Sequence, residues 1–186
     1  MNKNLLKRFE RKWGFNSIDH NQLFILLSRS NFSFVNQFLD RQVNSIYFDD
    51  EHHTSIIQNI DGIAEKKKYR LRWYGEFASI KNHTFEIKSK KGFEVSKKNF
   101  DLPKIHNFNL FDYNDIKKIE ILINDTFNFK NKLFPILTTH YLRSYFISSN
   151  MLVRSTVDRN LKSILLYNNR NLNIIKEYKD IILEFK

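Results

Sequence analysis

The feature that most constrains this chain is a segment in which cations alternate with aromatic and aliphatic residues. Successive side chains of a β-strand point to opposite faces of its sheet. In residues 66–73 one face therefore carries four cations and the other three large apolar residues, namely Lys66, Lys68, Arg70 and Arg72 against Tyr69, Leu71 and Trp73. Cations this close repel one another unless an anion lies among them. The segment predicts a strand with one apolar face and one anion-binding face.

The same alternation recurs in four other segments. Their charged faces carry Arg8, Glu10 and Lys12; Glu86, Lys88 and Lys90; Arg154 and Asp158 with Thr156; and Glu184 and Lys186. For any one strand, an ordinary half-buried sheet with its polar face in water is the alternative. Recurrence along the whole chain favours an α+β fold built on a closed antiparallel β-barrel of about eight strands. Long charged side chains would keep its interior open, and helices would cover its outer faces.

Local patterns predict the remaining elements. Strands are expected over residues 5–13, 43–48, 64–74, 84–90, 139–148, 152–158 and 173–185. Helices are expected over residues 17–28 with Ser17 as the cap, from Asp49 or Asp50 to residue 60, and over residues 113–124. No repeat or linker divides the chain, so we expect one domain spanning residues 1–186.

Composition restricts the partner and the chemistry. The chain has 31 Lys and Arg against 20 Asp and Glu, a formal net charge of +11, which favours an anionic partner such as a phosphorylated small molecule, nucleic acid or an acidic membrane. It has no cysteine, which excludes disulfides and thiolate chemistry. It also lacks the glycine motifs of P-loop and Rossmann sites. No apolar run is long enough for a signal peptide or an integral membrane segment, so we expect a soluble, cytoplasmic protein.

Carboxylates among the cations present a choice between two roles. They would weaken anion binding unless they held a divalent ion that bridges phosphate oxygens, or they form structural salt bridges with neighbouring cations. The candidates are Glu10, Glu86, Asp158 and Glu184. His52 and His53 lack evident further ligands for zinc, and we interpret them as surface or helix residues.

Seven segments of the chain, in order, resemble the VTC domain of polyphosphate polymerases, within the CYTH or triphosphate tunnel metalloenzyme superfamily. KRFERKW is similar to that family's opening strand and VNSIYFDD to its second strand. KKKYRLRWYG resembles the Arg-x-Arg strand, and FEIKSKKG the Glu-x-Lys-x-Lys strand. HYLRSYF with VRSTVD resembles the later strands, and IILEFK the closing Glu-x-Lys strand.

The resemblance implies a tunnel in which a triphosphate lies, and a reaction that moves the γ-phosphoryl group of ATP onto a growing polyphosphate chain. It implies that Arg70, Arg72, Arg143 and Arg154 act on the phosphates at the catalytic centre. Lys12, Lys88, Lys97 and Tyr141 would bind phosphate, and the strand pattern adds Lys68. It implies Mn²⁺ or Mg²⁺ as the cofactor, held by Glu184, with Glu10 and Asp158 as weaker transfers.

Two departures from the family pattern affect what is expected. Arg8 stands where many CYTH enzymes have the first glutamate of Glu-x-Glu-x-Lys, which favours the VTC branch over thiamine triphosphatase or adenylyl cyclase branches. The sequence ends at Lys186, where family members usually continue into a helix with a Ser-Lys pair, so an incomplete site is expected.

Three functions remain open from the sequence: a polyphosphate polymerase, a triphosphatase that hydrolyses inorganic or nucleoside triphosphate, and a non-catalytic module that binds polyphosphate. Nucleic-acid binding is not expected, because it needs cations on an outer face. The sequence does not fix the acceptor, the metal or the oligomeric state.

Overall fold

Nine strands and three helices make up the described part of the chain. The computed structural model describes residues 10–78, 80, 82–92, 94–103, 105, 108–166 and 174–186. The strands are β1 (Arg11–Phe15), β2 (Val35–Asp49), β3 (Glu65–Tyr74), β4 (Thr84–Lys91), β5 (Glu94–Asp101), β6 (Phe134–Ile147), β7 (Arg154–Leu165), β8 (Ile174–Tyr178) and β9 (Ile181–Phe185). The helices are α1 (His20–Arg29), α2 (Thr54–Ile60) and α3 (Tyr113–Phe127).

The strands pair into one sheet in the order β1-β9-β7-β6-β2-β3-β4-β5, and β8 pairs with β7. Pairing is antiparallel between β1 and β9, β7 and β9, β2 and β3, β3 and β4, and β4 and β5. A largely antiparallel sheet with three helices confirms the predicted α+β class. Closure of this sheet into a barrel stays a prediction.

The helices begin at residues other than those the sequence suggested. Asp19, not Ser17, caps α1, because its carboxylate accepts from the Gln22 backbone N–H at 2.8 Å and the Gln22 side chain accepts from the Asp19 N–H at 3.1 Å. The second helix begins at Thr54 rather than at Asp49 or Asp50. Both aspartates are buried at the end of β2, and their carboxylates accept backbone N–H groups of the first helical turn. The structure extends the third helix to Phe127.

None of the helices in the described residues is both long and apolar enough to cross a membrane.

Two strand predictions were wrong. Residues 94–101 were not recognised as a strand, although they form β5 against β4. Every residue of β5 except Phe100 is exposed, so this strand lacks the alternation that marks the others. The single strand expected over residues 173–185 is replaced by two, β8 and β9, with a break at Lys179 and Asp180, and residue 173 lies outside the described residues. Of the predicted opening strand, residues 5–9 lie outside the described residues.

The described residues divide into two compact units, each with its own core. The first comprises Met1–Arg41, Tyr141–Leu161 and Glu177–Lys186, and the second Gln42–His140 and Lys162–Lys176. In the first unit, the core contains Leu23, Leu27, Phe34, Phe146, Val157, Ile181 and Leu183. In this core α1 packs on residues of β6, β7 and β9.

The core of the second unit explains why the alternating strands have one apolar face. Its fully buried members include Ile46, Phe48, Leu71, Trp73, Phe85, Ile119 and Ile123. Ile119 and Ile123 come from α3, so this helix packs on the apolar face of β2, β3 and β4. Burying a large aliphatic or aromatic side chain contributes about 1.5–3 kcal/mol. The apolar half of the pattern is therefore fixed by the core, and the cations at alternate positions must point to the opposite face.

Candidate functional site

The charged face of β3 and β4 carries an ion cluster around Glu86, within the second unit. Arg70 lies directly opposite Glu86 in the β3–β4 register, and Arg70 Nε donates to Glu86 Oε2. Lys97 Nζ donates to Glu86 Oε1 at 2.7 Å, and Arg72 Nη1 lies 3.8 Å from the same oxygen. Three cations from β3 and β5 thus surround one carboxylate. We name Glu86, Arg70, Arg72 and Lys97 the Glu86 cluster.

Glu86 is held as an anion despite its burial, since it is only 5% exposed. Burial acts to raise the pKa of its carboxyl, but the hydrogen bond from Lys97 and the charges of Arg70 and Arg72 together lower it. Tyr47, opposite Arg70 in β2, hydrogen-bonds to the Arg70 guanidinium. The Glu86 cluster carries three positive charges and one negative charge, so it retains an excess of two positive charges for an anionic ligand.

The cationic face extends along the strands beyond the Glu86 cluster. Lys68 pairs with Lys88 across β3 and β4, and Lys88 pairs with Lys97 across β4 and β5. These three lysines therefore form one cross-strand row, next to the row that contains Arg70 and Glu86. Lys88 is exposed, and no carboxylate in the described residues forms an ion pair with it. Like charges directly opposite one another are destabilising, so an anion bound along this row would stabilise it.

A second cluster lies in the first unit, around Glu184. Glu184 sits on β9 between two neighbours, with Lys12 of β1 opposite it on one side and Thr156 of β7 on the other. Its Oε2 receives Lys186 Nζ at 2.9 Å and Thr156 Oγ1 at 3.4 Å. Lys12 Nζ lies 3.7 Å from Glu184 Oε1 and 3.6 Å from Glu10 Oε1. We name Glu184, Glu10, Lys12 and Lys186 the Glu184 cluster.

The Glu184 carboxylate is strongly ionised and incompletely satisfied. It is 3% exposed, and burial would raise the pKa of the group, yet contacts with Glu10 and Lys186 and the charge of Lys12 lower the pKa to about 2. Its Oε1 atom is buried without a hydrogen-bond partner in the described part of the chain. The ammonium of Lys12 is too far for a hydrogen bond, because such bonds are 2.7–3.2 Å long. This oxygen is therefore ready to accept a cation at closer range.

Arg143 and Arg154, also of the first unit, differ sharply in their surroundings. Arg143 forms a two-pronged ion pair with Asp158, at 2.5 Å and 2.6 Å, and lies over the ring of Tyr141. Burial acts against the charged form of Arg143, but Asp158 and the neighbouring tyrosines raise the pKa of its guanidinium. Arg154 is exposed, and no ion pair to its side chain is found within the described residues.

The structure therefore brings the predicted site residues together in groups. Lys12, Glu10 and Glu184 meet in one cluster, and Arg70, Arg72 and Lys97 meet in another, with Lys68 and Lys88 beside it. Asp158 and Glu86, two of the four carboxylates considered for metal, form salt bridges to arginine instead. His52 is exposed near the start of α2, as expected.

Sequence reasoning missed that Glu86 is the centre of a cluster, and it missed Ser45 and Tyr47. Both lie opposite the arginines of β3 in register, Ser45 facing Arg72 and Tyr47 facing Arg70. Their alternation with Ile46 and Phe48 in residues 43–50 was the available signal. Without the register of β2 on β3, it could not be matched to particular arginines.

Comparisons with known proteins identify the family. Residues 4–186 match the VTC domain. The chain belongs to the VTC domain family. A comparison with curated protein sequences finds no significant match.

Among solved structures, the chain is similar in fold to a proposed adenylate cyclase from Vibrio parahaemolyticus, with a TM-score of 0.51 and 14% identity over 96% of this chain and 75% of that one. A proposed adenylate cyclase from Bacillus halodurans gives a TM-score of 0.49 and 16% identity, over 95% of this chain and 78% of that one.

The residues present fit the divalent ion that the VTC family implies. Glu184 offers an unpartnered, buried carboxylate oxygen, and Glu10 lies beside it with Lys12 between the two carboxylates. No group of three or more potential protein ligands occurs among the described residues. Mg²⁺ is typically held by one or two carboxylates and completes its coordination with waters and substrate phosphates. Two carboxylates therefore suffice for an ion that arrives with a phosphate chain.

Proposed function

We propose that this VTC domain is a metal-dependent polyphosphate polymerase, which transfers the γ-phosphoryl group of ATP to the end of a polyphosphate chain. The observation that carries the proposal is the Glu86 cluster, in which Arg70, Arg72 and Lys97 converge on one carboxylate and keep a net positive charge. The proposal includes a single domain whose sheet closes into a barrel with these charged faces inward. Membership of the VTC family supports that closure.

In the proposed reaction, an oxygen of the terminal phosphate of the acceptor chain forms a bond to the γ-phosphorus of ATP. The bond from that phosphorus to the β,γ-bridging oxygen breaks, and ADP leaves with the electron pair. Phosphoryl transfer requires little covalent help from a protein, so positioning and charge neutralisation supply most of the catalysis. Guanidinium groups match phosphate oxygens with two parallel donors, which suits Arg70 and Arg72 for orienting the transferred group.

Lysines would bind the rest of the phosphate chain, and carboxylates would hold the metal ion. Lys68, Lys88 and Lys97 supply mobile point charges along the face, where a chain of phosphates needs repeated neutralisation but no fixed orientation. Glu184 and Glu10 would hold Mn²⁺ or Mg²⁺, which would offset the negative charge that develops on the phosphate. Arg143, Arg154 and Tyr141 are proposed to contact phosphate as well, Arg154 being the exposed and unpaired member of the three in the described residues.

The test is incubation of the purified chain with ATP and Mn²⁺, followed by gel analysis of polyphosphate length. We expect chains longer than three phosphates. Arg72→Ala should raise the activation free energy by about 1–3 kcal/mol, which lowers kcat/KM roughly 5- to 150-fold, because it removes a charge-assisted contact. Lys118→Ala is the charge-matched control, since Lys118 is exposed on α3 and pairs with Asp115. Release of phosphate without chain growth would support a triphosphatase instead. Tight polyphosphate binding without turnover would leave only a binding module.

A further inference from the structure

Four buried polar groups of the second unit have no hydrogen-bond partner in the described part of the chain, and one of them, Oγ1 of Thr138, serves below as a control. The other three are Nε of Arg72, Oγ of Ser45 and Oγ1 of Thr139. Buried polar groups are nearly always hydrogen-bonded, and leaving one unsatisfied costs free energy comparable to a lost hydrogen bond. Three such groups in one place indicate a ligand that supplies the missing partner.

The three groups lie on the same face of the sheet. Ser45 is directly opposite Arg72 in the β2–β3 register, where Cβ atoms are about 4.5–5.5 Å apart. On the next strand, His140 Nδ1 contacts Asn44 Oδ1 at 2.7 Å and Gln42 Nε2 at 3.2 Å. His140 and Asn44 therefore share a face.

Neighbouring residues along a strand point the opposite way. Thr139 precedes His140 and Ser45 follows Asn44, so both hydroxyls point to the face that carries Arg72. β6 is adjacent to β2 in the sheet, and the contact of His140 with Asn44 indicates that their chain neighbours Thr139 and Ser45 are close to each other on the opposite face. The hydroxyls and the guanidinium edge thus come from three consecutive strands.

The chemistry of the three groups specifies an oxygen anion. An arginine Nε–H can only donate a hydrogen bond, and a hydroxyl can donate while its own lone pairs stay free. Arg72 turns Nη1 toward Glu86, at 3.8 Å, which leaves its Nε edge without a carboxylate. A non-bridging phosphoryl oxygen is an acceptor that suits each of the three donors.

We propose that Ser45, Thr139 and the Nε edge of Arg72 form a subsite for one phosphoryl group of the phosphate chain. This inference rests on the proposed function, and it adds two positioning residues that no cationic motif would reveal. The hydroxyls contribute hydrogen bonds without adding positive charge beside Arg70 and Lys97, so they fix the position of a phosphate where a further cation would be repelled.

Thr138 supplies a matched control within the same strand. Its Oγ1 is also buried without a partner in the described residues. Thr138 is two residues from His140 along the strand, so it points to the same face as His140 and away from Arg72. Thr138→Val and Thr139→Val therefore remove the same chemical group from opposite faces. Thr139→Ser keeps the hydroxyl and removes only a methyl group.

The experiment is titration of inorganic triphosphate into the full chain by calorimetry in low salt, with melting curves of the ligand-free protein. We expect Ser45→Ala and Thr139→Val each to weaken binding about 3- to 10-fold, while the ligand-free melting temperature stays constant or rises because an unsatisfied polar group is lost. Thr139→Ser should bind within about twofold of the wild type, and Thr138→Val should bind as the wild type does.

The results separate this inference from the proposed function. If the wild type binds triphosphate and Thr139→Val binds equally well, the subsite is wrong and the proposed function stands. If Ser45→Ala and Thr139→Val also lower the melting temperature of the free protein, the hydroxyls have structural partners and the subsite is again wrong. If the wild type does not bind triphosphate, both proposals fail. Should Ser45→Ala not fold, the Thr139 and Thr138 variants decide.

Discussion

Replacing Glu86 with glutamine should change stability and phosphate affinity in opposite directions. Glu86 is 5% exposed, and it neutralises part of the charge of Arg70, Arg72 and Lys97. Removing one partner of a buried ion pair typically costs 3–5 kcal/mol, because the remaining charges are left uncompensated. Arg70 and Lys97 keep part of their side chains in water, so we expect a loss of about 2–4 kcal/mol in the free energy of unfolding.

The same substitution should strengthen phosphate binding. Glu86 repels an approaching phosphate, and a unit charge about 6 Å away in a partly solvated site contributes roughly 1–3 kcal/mol. Glu86→Gln should therefore bind triphosphate about 5- to 150-fold more tightly in low salt, and the gain should shrink as salt screens the charges. The ligand-free melting temperature should fall by roughly 4–16 °C, given about 2–4 °C per kcal/mol for a domain of this size.

Glu120→Gln is the control for this experiment. Glu120 is a buried carboxylate of the same unit, contacted by Lys117 at 2.7 Å and Lys132 at 3.3 Å, but it belongs to α3 on the apolar side of the sheet. It should lose stability without a change in triphosphate affinity. Melting curves with and without triphosphate, at low and high salt, measure both quantities. If Glu86→Gln binds triphosphate more weakly than the wild type does, the electrostatic reasoning is refuted.

Two further predictions concern metal and pH. Mn²⁺ added together with triphosphate should raise the melting temperature of the wild type by more than triphosphate alone does. Glu184→Gln should abolish this additional increase, because the buried Oε1 is no longer anionic. An increase that persists in the variant would mean that the ion binds elsewhere. Burial is the largest cause that lowers the pKa of His20, His83 and His140 below 6.5. Between pH 6.5 and 5.5 the unfolded chain therefore binds more protons than the native chain does. Urea titrations should give a lower free energy of unfolding at pH 5.5 than at pH 6.5, by up to about 1.4 kcal/mol per histidine. Equal values at the two pH values would show that these rings protonate freely in the folded protein.

The alternation of cations with apolar residues made the charged strands predictable from the sequence. Residues 64–74 and 84–90 differ by at most one residue at either end from β3 and β4, because Leu71, Trp73 and Phe85 are fully buried at alternate positions. Strand β5 lacks this alternation of exposed and buried residues. Its place is determined by pairing with β4, which the local sequence does not encode.

The candidate site was predictable in its residue types but not in its pairings. A glutamate on a cationic strand face fits either a metal ligand or a counter-ion, and only the register of β3 on β4 shows that Arg70 lies opposite Glu86. The partners of Glu184 come from β1 and β7, far apart in the chain. Hydroxyl residues such as Ser45 and Thr139 carry no charge, so the role proposed for them follows only from their burial without partners in the described residues.

The two carboxylate clusters offer a reason why the proposed phosphate site contains anions. Without Glu86, the side chains of Arg70, Arg72 and Lys97 would repel one another and move apart into solvent when no ligand is bound. The carboxylate holds them together, so their side chains are already ordered, and this ordering offsets part of the repulsion between Glu86 and a phosphate chain. The same logic does not extend to Glu184, whose second oxygen lies beyond hydrogen-bonding distance of Lys12 and lacks another partner in the described residues. Both oxygens of Glu86 lie near cations of the protein, whereas Oε1 of Glu184 has no hydrogen-bond partner in the described residues. This difference supports our proposal that the Glu184 cluster holds the metal and that the Glu86 cluster orients phosphate.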